Sequence, residues 1–153
     1  MIRGMTSFKD ASVIRDEVVE IARFPQNLEI VTDMTLNEYQ ERAMTTCMES
    51  CKNDTYMLFG LMAEVGEVAD KIAKWKRKGI IRMDGDRVVF SAPPKDAGYL
   101  AEELMYEVGD IMWFCAGLAR QFGWSLENVC WANLNKLSSR QERGVIEGDG
   151  DNR

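Results

Sequence analysis

Two stretches of this chain, Leu58-Phe-Gly-Leu-Met-Ala-Glu-Val-Gly-Glu-Val-Ala-Asp-Lys71 and Leu104-Met-Tyr-Glu-Val-Gly-Asp-Ile-Met-Trp-Phe114, share one pattern. Each has the apolar spacing of a buried helix, interrupted by two acids three residues apart. In the first the acids are Glu64 and Glu67, and in the second Glu107 and Asp110. Residues three apart lie on one helix face, so each pair aims both carboxylates the same way. Two such helices packed side by side bring four carboxylates into surroundings of Leu, Val, Ile, Met and aromatic side chains. Charge of one sign is costly there, and a divalent cation is the simplest compensation.

The competing reading is that acids at this spacing are ordinary solvated helix surface. The local charge context argues against it. Glu67 has Lys71 four residues on, but Glu64 is followed by Val68, Glu107 by Ile111 and Asp110 by Phe114. Gly66 and Gly109, inside the pairs, each cost on the order of 1 kcal/mol in a helix interior, and a small residue there suits close helix approach. Four hard oxygen donors without a histidine or thiolate among them suit Mg²⁺ or Mn²⁺. Carboxylate-held ions of this kind neutralise and template phosphate oxygens and lower the pKa of a bound water. The residues alone therefore point to metal-dependent hydrolysis of a phosphoanhydride.

Working outward, Thr35-Leu-Asn-Glu38 is a capping-box pattern that starts a helix expected to reach about Cys51, with Leu36, Tyr39, Ala43, Met44 and Cys47 on its core face. Lys52-Asn-Asp54 reads as a turn. Asn53 or Asp54 then caps a second helix over about 55–78, with Leu61, Val65, Val68, Ile72 and Trp75 as its apolar stripe. Asp84-Gly85 between two β-branched runs is a hairpin signal, and Pro93-Pro94 makes a stiff connector. A third helix spans about 96–120 and is apolar almost all round, so it is expected to bury a second side against another subunit. Ser125 caps a fourth helix carrying Val129, Trp131, Leu134 and Leu137 to about Ser139, followed by an irregular Gly- and Asp-rich tail. Residues 1–33 read as a separate helical extension, with an amphipathic helix over Phe8–Phe24 ended by Pro25. The expected fold is all-α: a four-helix bundle core with a small β-hairpin insertion, oligomeric.

Bulk composition narrows the chemistry. A chain of 153 residues with 46% hydrophobic content suits one folded domain. Its 19 basic and 25 acidic residues, net charge −6, disfavour a nucleic-acid binder. No stretch has the length of a membrane span or the h-region of a signal peptide, so a cytoplasmic protein is expected. The four cysteines, Cys47, Cys51, Cys115 and Cys130, lie among apolar helical neighbours and read as reduced, buried thiols. There is no histidine. Its absence removes Ser-His and Cys-His catalysis and leaves carboxylate, lysine and metal.

The ordered set Gly60-Leu-Met-Ala-Glu-Val-Gly-Glu-Val-Ala-Asp-Lys71 and Glu103-Leu-Met-Tyr-Glu-Val-Gly-Asp-Ile-Met-Trp113 resembles the Glu-x-x-Glu … Glu-x-x-Asp signature of the MazG-like, all-α nucleoside triphosphate pyrophosphohydrolases. Asn133-Leu-Asn-Lys-Leu-Ser-Ser-Arg140 and the closing Gly-Asp-Gly-Asp are similar to that family's carboxy-terminal stretch. The resemblance covers residues 34–153. It implies Mg²⁺-dependent cleavage of a nucleoside or deoxynucleoside triphosphate to the monophosphate and pyrophosphate by a homodimer or homotetramer. By position, Glu64, Glu67, Glu107 and Asp110 would be the catalytic metal ligands, and Lys71, Asn133, Lys136 and Arg140 would bind substrate. Two departures stand out: the 80–94 insertion lengthens the gap between the pairs, and Ala63 replaces a further glutamate. The rival functions are a metal-nucleotide sensor without turnover and a helical interaction module.

Overall fold

The computed structural model describes residues 33–91 and 97–147. Among them are four α-helices, α1 (Leu36–Met44), α2 (Asp54–Arg77), α3 (Ala97–Gln121) and α4 (Leu126–Glu142), a 3-10 turn at Glu49–Cys51, and the antiparallel strands β1 (Ile81–Asp84) and β2 (Arg87–Phe90). The fold is all-α with one small hairpin, as expected. The helix placed over Phe8–Phe24 and the Pro93-Pro94 connector lie outside the described residues.

Helix α1 starts as its sequence demands. The Thr35 hydroxyl accepts from the Glu38 N–H at 3.1 Å, and the Glu38 carboxylate accepts from the Thr35 N–H at 2.7 Å, a complete capping box. The helix stops at Met44, well short of Cys51. The Thr45 and Thr46 hydroxyls each donate to a carbonyl three residues back, Arg42 and Ala43, both at 2.7 Å. Such local bonds compete with helix continuation.

Asn53 caps α2, its side-chain oxygen accepting from the Tyr56 N–H at 2.8 Å. Gly79, at φ +70, ends the helix. The Gly79 N–H reaches the Lys76 carbonyl at 3.1 Å and the Ile80 N–H the Trp75 carbonyl at 3.0 Å, a Schellman closure. The hairpin turn is Gly85-Asp86, one residue later than the Asp84-Gly85 signal suggests, because Asp84 pairs with Arg87 and Gly85 takes the positive φ of +59. Helix α4 runs past the expected Ser139 to Glu142, where Gly144 at φ +67 closes it.

The chain divides into two compact units. One comprises the described part of Ala69–Met105: the hairpin, with buried Trp75 and Ile81, and the adjoining ends of α2 and α3. The other comprises the described parts of Glu29–Val68 and Tyr106–Arg153. Its core is Met44, Cys47, Cys51, Met57, Phe114, Ala116, Ala119 and Leu126.

Within that core the close approach of α2 and α3 is made by Gly60 and Gly117. A Cβ on Gly60 would lie 2.0 Å from Phe114 Cε1, and one on Gly117 would lie 2.4 Å from Met57 Sδ. Each glycine makes room for the large buried side chain opposite. Gly66 and Gly109, expected to serve that purpose, have nothing within 4 Å of such a Cβ. The expected stripes also need correction. Val65 of α2 is exposed, as are Val129, Trp131, Leu134 and Leu137 of α4, while Leu126 is the α4 residue in the core.

Helix α1 is tied to the start of α4 by buried Gln40. Its amide donates to the carbonyls of Ala116 at 3.0 Å and Trp124 at 3.1 Å, and its oxygen accepts from the Leu126 N–H at 3.0 Å. Burying the amide is tolerated because all three of these bonds are made.

Candidate functional site

Helices α2 and α3 bring the acids together in the second unit. Glu64, Glu107 and Asp110 each offer a carboxylate oxygen, and these oxygens all lie within 4.8 Å of one another. Glu64 and Glu107 are half-buried and Asp110 is exposed. Glu67 is exposed and stands outside this group of three, although its charge reaches Glu64. Of the four acids singled out in the sequence, the structure therefore gathers three. Three residues on from Glu64 and about 60° round the helix, Glu67 is exposed where Glu64 is half-buried.

The electrostatics of Glu64 reflect burial and neighbouring like charge. Burial, then the neighbouring charges of Asp110, Glu67 and Glu107, push the Glu64 carboxyl above its ordinary value. The donors are all carboxylate oxygens. Two ligands of one Mg²⁺ at 2.0–2.1 Å are at most about 4.2 Å apart, so oxygens within 4.8 Å need only small rotations to share one ion. The residues present fit a divalent cation.

Tyrosines border the acids. Tyr39 of α1 donates to the Gly109 carbonyl at 3.5 Å, between Glu107 and Asp110. Its hydroxyl is held above its usual range by burial and then by the Asp110 charge. Tyr56 of α2 is pushed the same way, first by its bond to Cys51, with Glu64 a smaller contributor. Trp113 fixes the α1 side of α3, its indole N–H donating to the Ala43 carbonyl at 3.1 Å and the Thr46 hydroxyl at 2.9 Å. Tyr39 was legible only as a core-face residue and Tyr56 not at all. Gln40 left a signal, a polar residue inside the stripe formed by Leu36, Ala43 and Met44.

Three of the four residues expected to reach phosphate share α4. Asn133 and Lys136 are exposed on α4, and Arg140 is buried at 6% exposure near the end of the same helix. Lys71 is half-buried on the part of α2 that belongs to the other unit.

The chain belongs to the MazG nucleotide pyrophosphohydrolase domain family, whose model matches residues 52–145. That span contains all four acids. A protein it is similar to is the Gene 37 protein of Mycobacterium phage L5, 41% identical over 105 residues that cover 69% of this chain and 81% of that protein. No solved structure matched. Among the described residues no helix is long and apolar enough to cross a membrane.

Proposed function

We propose that the chain is a Mg²⁺-dependent nucleoside triphosphate pyrophosphohydrolase, with residues 34–153 as its catalytic domain and 1–33 as an extension. The observation that carries this reading is the convergence of Glu64, Glu107 and Asp110 in a chain of the MazG family. These three carboxylates would hold the cation, Mg²⁺ or Mn²⁺. Bound there, it would neutralise phosphate charge and lower the pKa of a coordinated water. The reaction adds water to the α-phosphorus and breaks its bond to the bridging oxygen, releasing a nucleoside monophosphate and pyrophosphate.

The roles of the remaining residues follow from their chemistry. Glu67, exposed beside the three, accepts a proton from the attacking water and orients it. Lys136 and Asn133, exposed on α4, supply donors to phosphate oxygens. Lys71 and Arg140 belong to the same proposed substrate set. Apolar side chains left open on α2 and α4, among them Met62, Val65, Trp131 and Leu134, support assembly as a homodimer or homotetramer.

The test is a panel of ribo- and deoxyribonucleoside triphosphates incubated with purified protein and Mg²⁺. Pyrophosphate should be released, and Glu107→Gln should lower turnover by at least about 10²-fold, the scale on which electrostatic stabilisers act, with the helical circular dichroism intact. Orthophosphate as the sole product would identify the wrong bond. Saturable binding without turnover would make the protein a nucleotide sensor.

A further inference from the structure

At the other end of α3 from the acidic cluster, about 15 Å on from Asp110 at 1.5 Å per residue, Arg120 lines two adjoining cavities. One, of about 230 Å³, is also lined by Lys52 and Gln121. The other, of about 330 Å³, is also lined by Trp124 and Ser125. Glu41 of α1 lines both. All these residues belong to the same unit of the chain.

Arg120 and Glu41 face the same two cavities yet make no ion pair, with each other or with any described residue. Lys52 and Arg120 are close enough to repel each other, and the nearer partner of Lys52, Glu49 at 2.7 Å, forms an exposed pair of the kind that contributes little. In the smaller cavity a guanidinium and an ammonium outnumber the one carboxylate, Glu41; the first offers a planar fork of donors to phosphate oxygens, the second a mobile point charge. On the far side of Arg120, Trp124 is 56% exposed. Its ring stacks on Phe122, itself 52% exposed, at 4.9 Å and 22°. An indole this open to solvent offers its free face to a flat ring. Glu41, which lines both cavities and makes no ion pair among the described residues, offers a carboxylate to hydroxyl or amino donors.

We propose that this groove is a second nucleotide site, separate from the acidic cluster, that takes a nucleoside monophosphate: phosphate on Arg120 and Lys52, sugar or base donors on Glu41, base against Trp124. It requires no metal and does not rest on the catalytic reading.

The experiment titrates the full chain, in EDTA, with the four common ribonucleoside 5′-monophosphates and with inorganic phosphate, by calorimetry. At least one monophosphate should bind saturably. Arg120→Gln and Trp124→Ala should each weaken it about tenfold, as expected for loss of a charged phosphate contact or a stacked base. Lys52→Gln should weaken it less, and Glu107→Gln should leave it unchanged. All four side chains are exposed or half-buried, and circular dichroism verifies that each variant is folded. Any of four results overturns the proposal: no binding by any monophosphate, binding indifferent to both Arg120→Gln and Trp124→Ala, binding lost in Glu107→Gln, or inorganic phosphate binding as tightly as the nucleotide.

Discussion

Glu64 is where burial and charge conflict most openly. Its carboxyl is raised above the ordinary value by burial first and by Asp110, Glu67 and Glu107 after that, so the folded chain holds this proton more tightly than the unfolded chain does. Stability then falls as pH rises from the ordinary carboxylate range through the raised value, because over that window the folded state binds more protons. Without divalent cation, thermal unfolding followed from about pH 4 to pH 7 should show this loss, and Glu64→Gln should flatten it. Added Mg²⁺ should restore stability at the upper end by binding the folded state alone. A wild-type profile that Glu64→Gln leaves unchanged would show that the cluster carries no such strain.

At the scale of elements, the pairing of α2 with α3 depends on two glycines that leave room for Phe114 and Met57. Gly60→Ala places a methyl 2.0 Å from the Phe114 ring, and overpacking of this kind costs about 1–3 kcal/mol. Gly66→Ala meets open space and should stabilise by about 0.8–1 kcal/mol through helix propensity alone. Chemical denaturation of both variants checks the opposite signs; a loss at Gly66 as large as that at Gly60 would mean the helices approach each other at the acidic pairs after all. Both glycines were visible in the sequence, but which of them meets a neighbour depends on the bulk of the residue across the interface. That is information held by another element. The end of α1 was misplaced for a related reason: apolar periodicity continues to Cys47, but the Thr45 and Thr46 hydroxyls capture the carbonyls that a longer helix would need.

For the whole molecule, the apolar surface left open is the informative quantity. Leu58, Met62 and Val65 recur at helical spacing on α2 and are exposed, as are Trp131, Leu134 and Leu137 on α4. Exposed apolar side chains grouped this way support an interface between copies of the chain. Light scattering should therefore give at least twice the 17.4 kDa chain mass, and Trp131→Glu should reduce it by placing a charge in the contact. A wild-type mass of one chain at micromolar concentration would rule the assembly out.

What the amino-acid order determined by itself was local. The capping box at Thr35, the caps at Asn53 and Ser125, the glycine stop at Gly79, the all-α class and the candidacy of Glu64, Glu107 and Asp110 follow from neighbours within a helical turn or two. Tertiary structure decided which acids meet. Glu67 has the same chemistry as Glu64 and lies within a turn of it, yet it is exposed and stands outside the group of three. Packing also decided that Gln40 and Tyr39 belong beside the core and the acids, and that Lys52, distant in sequence from Arg120, lines a cavity with it. A sequence encodes which face of a helix a residue occupies, but only the arrangement of the other helices determines what that face meets.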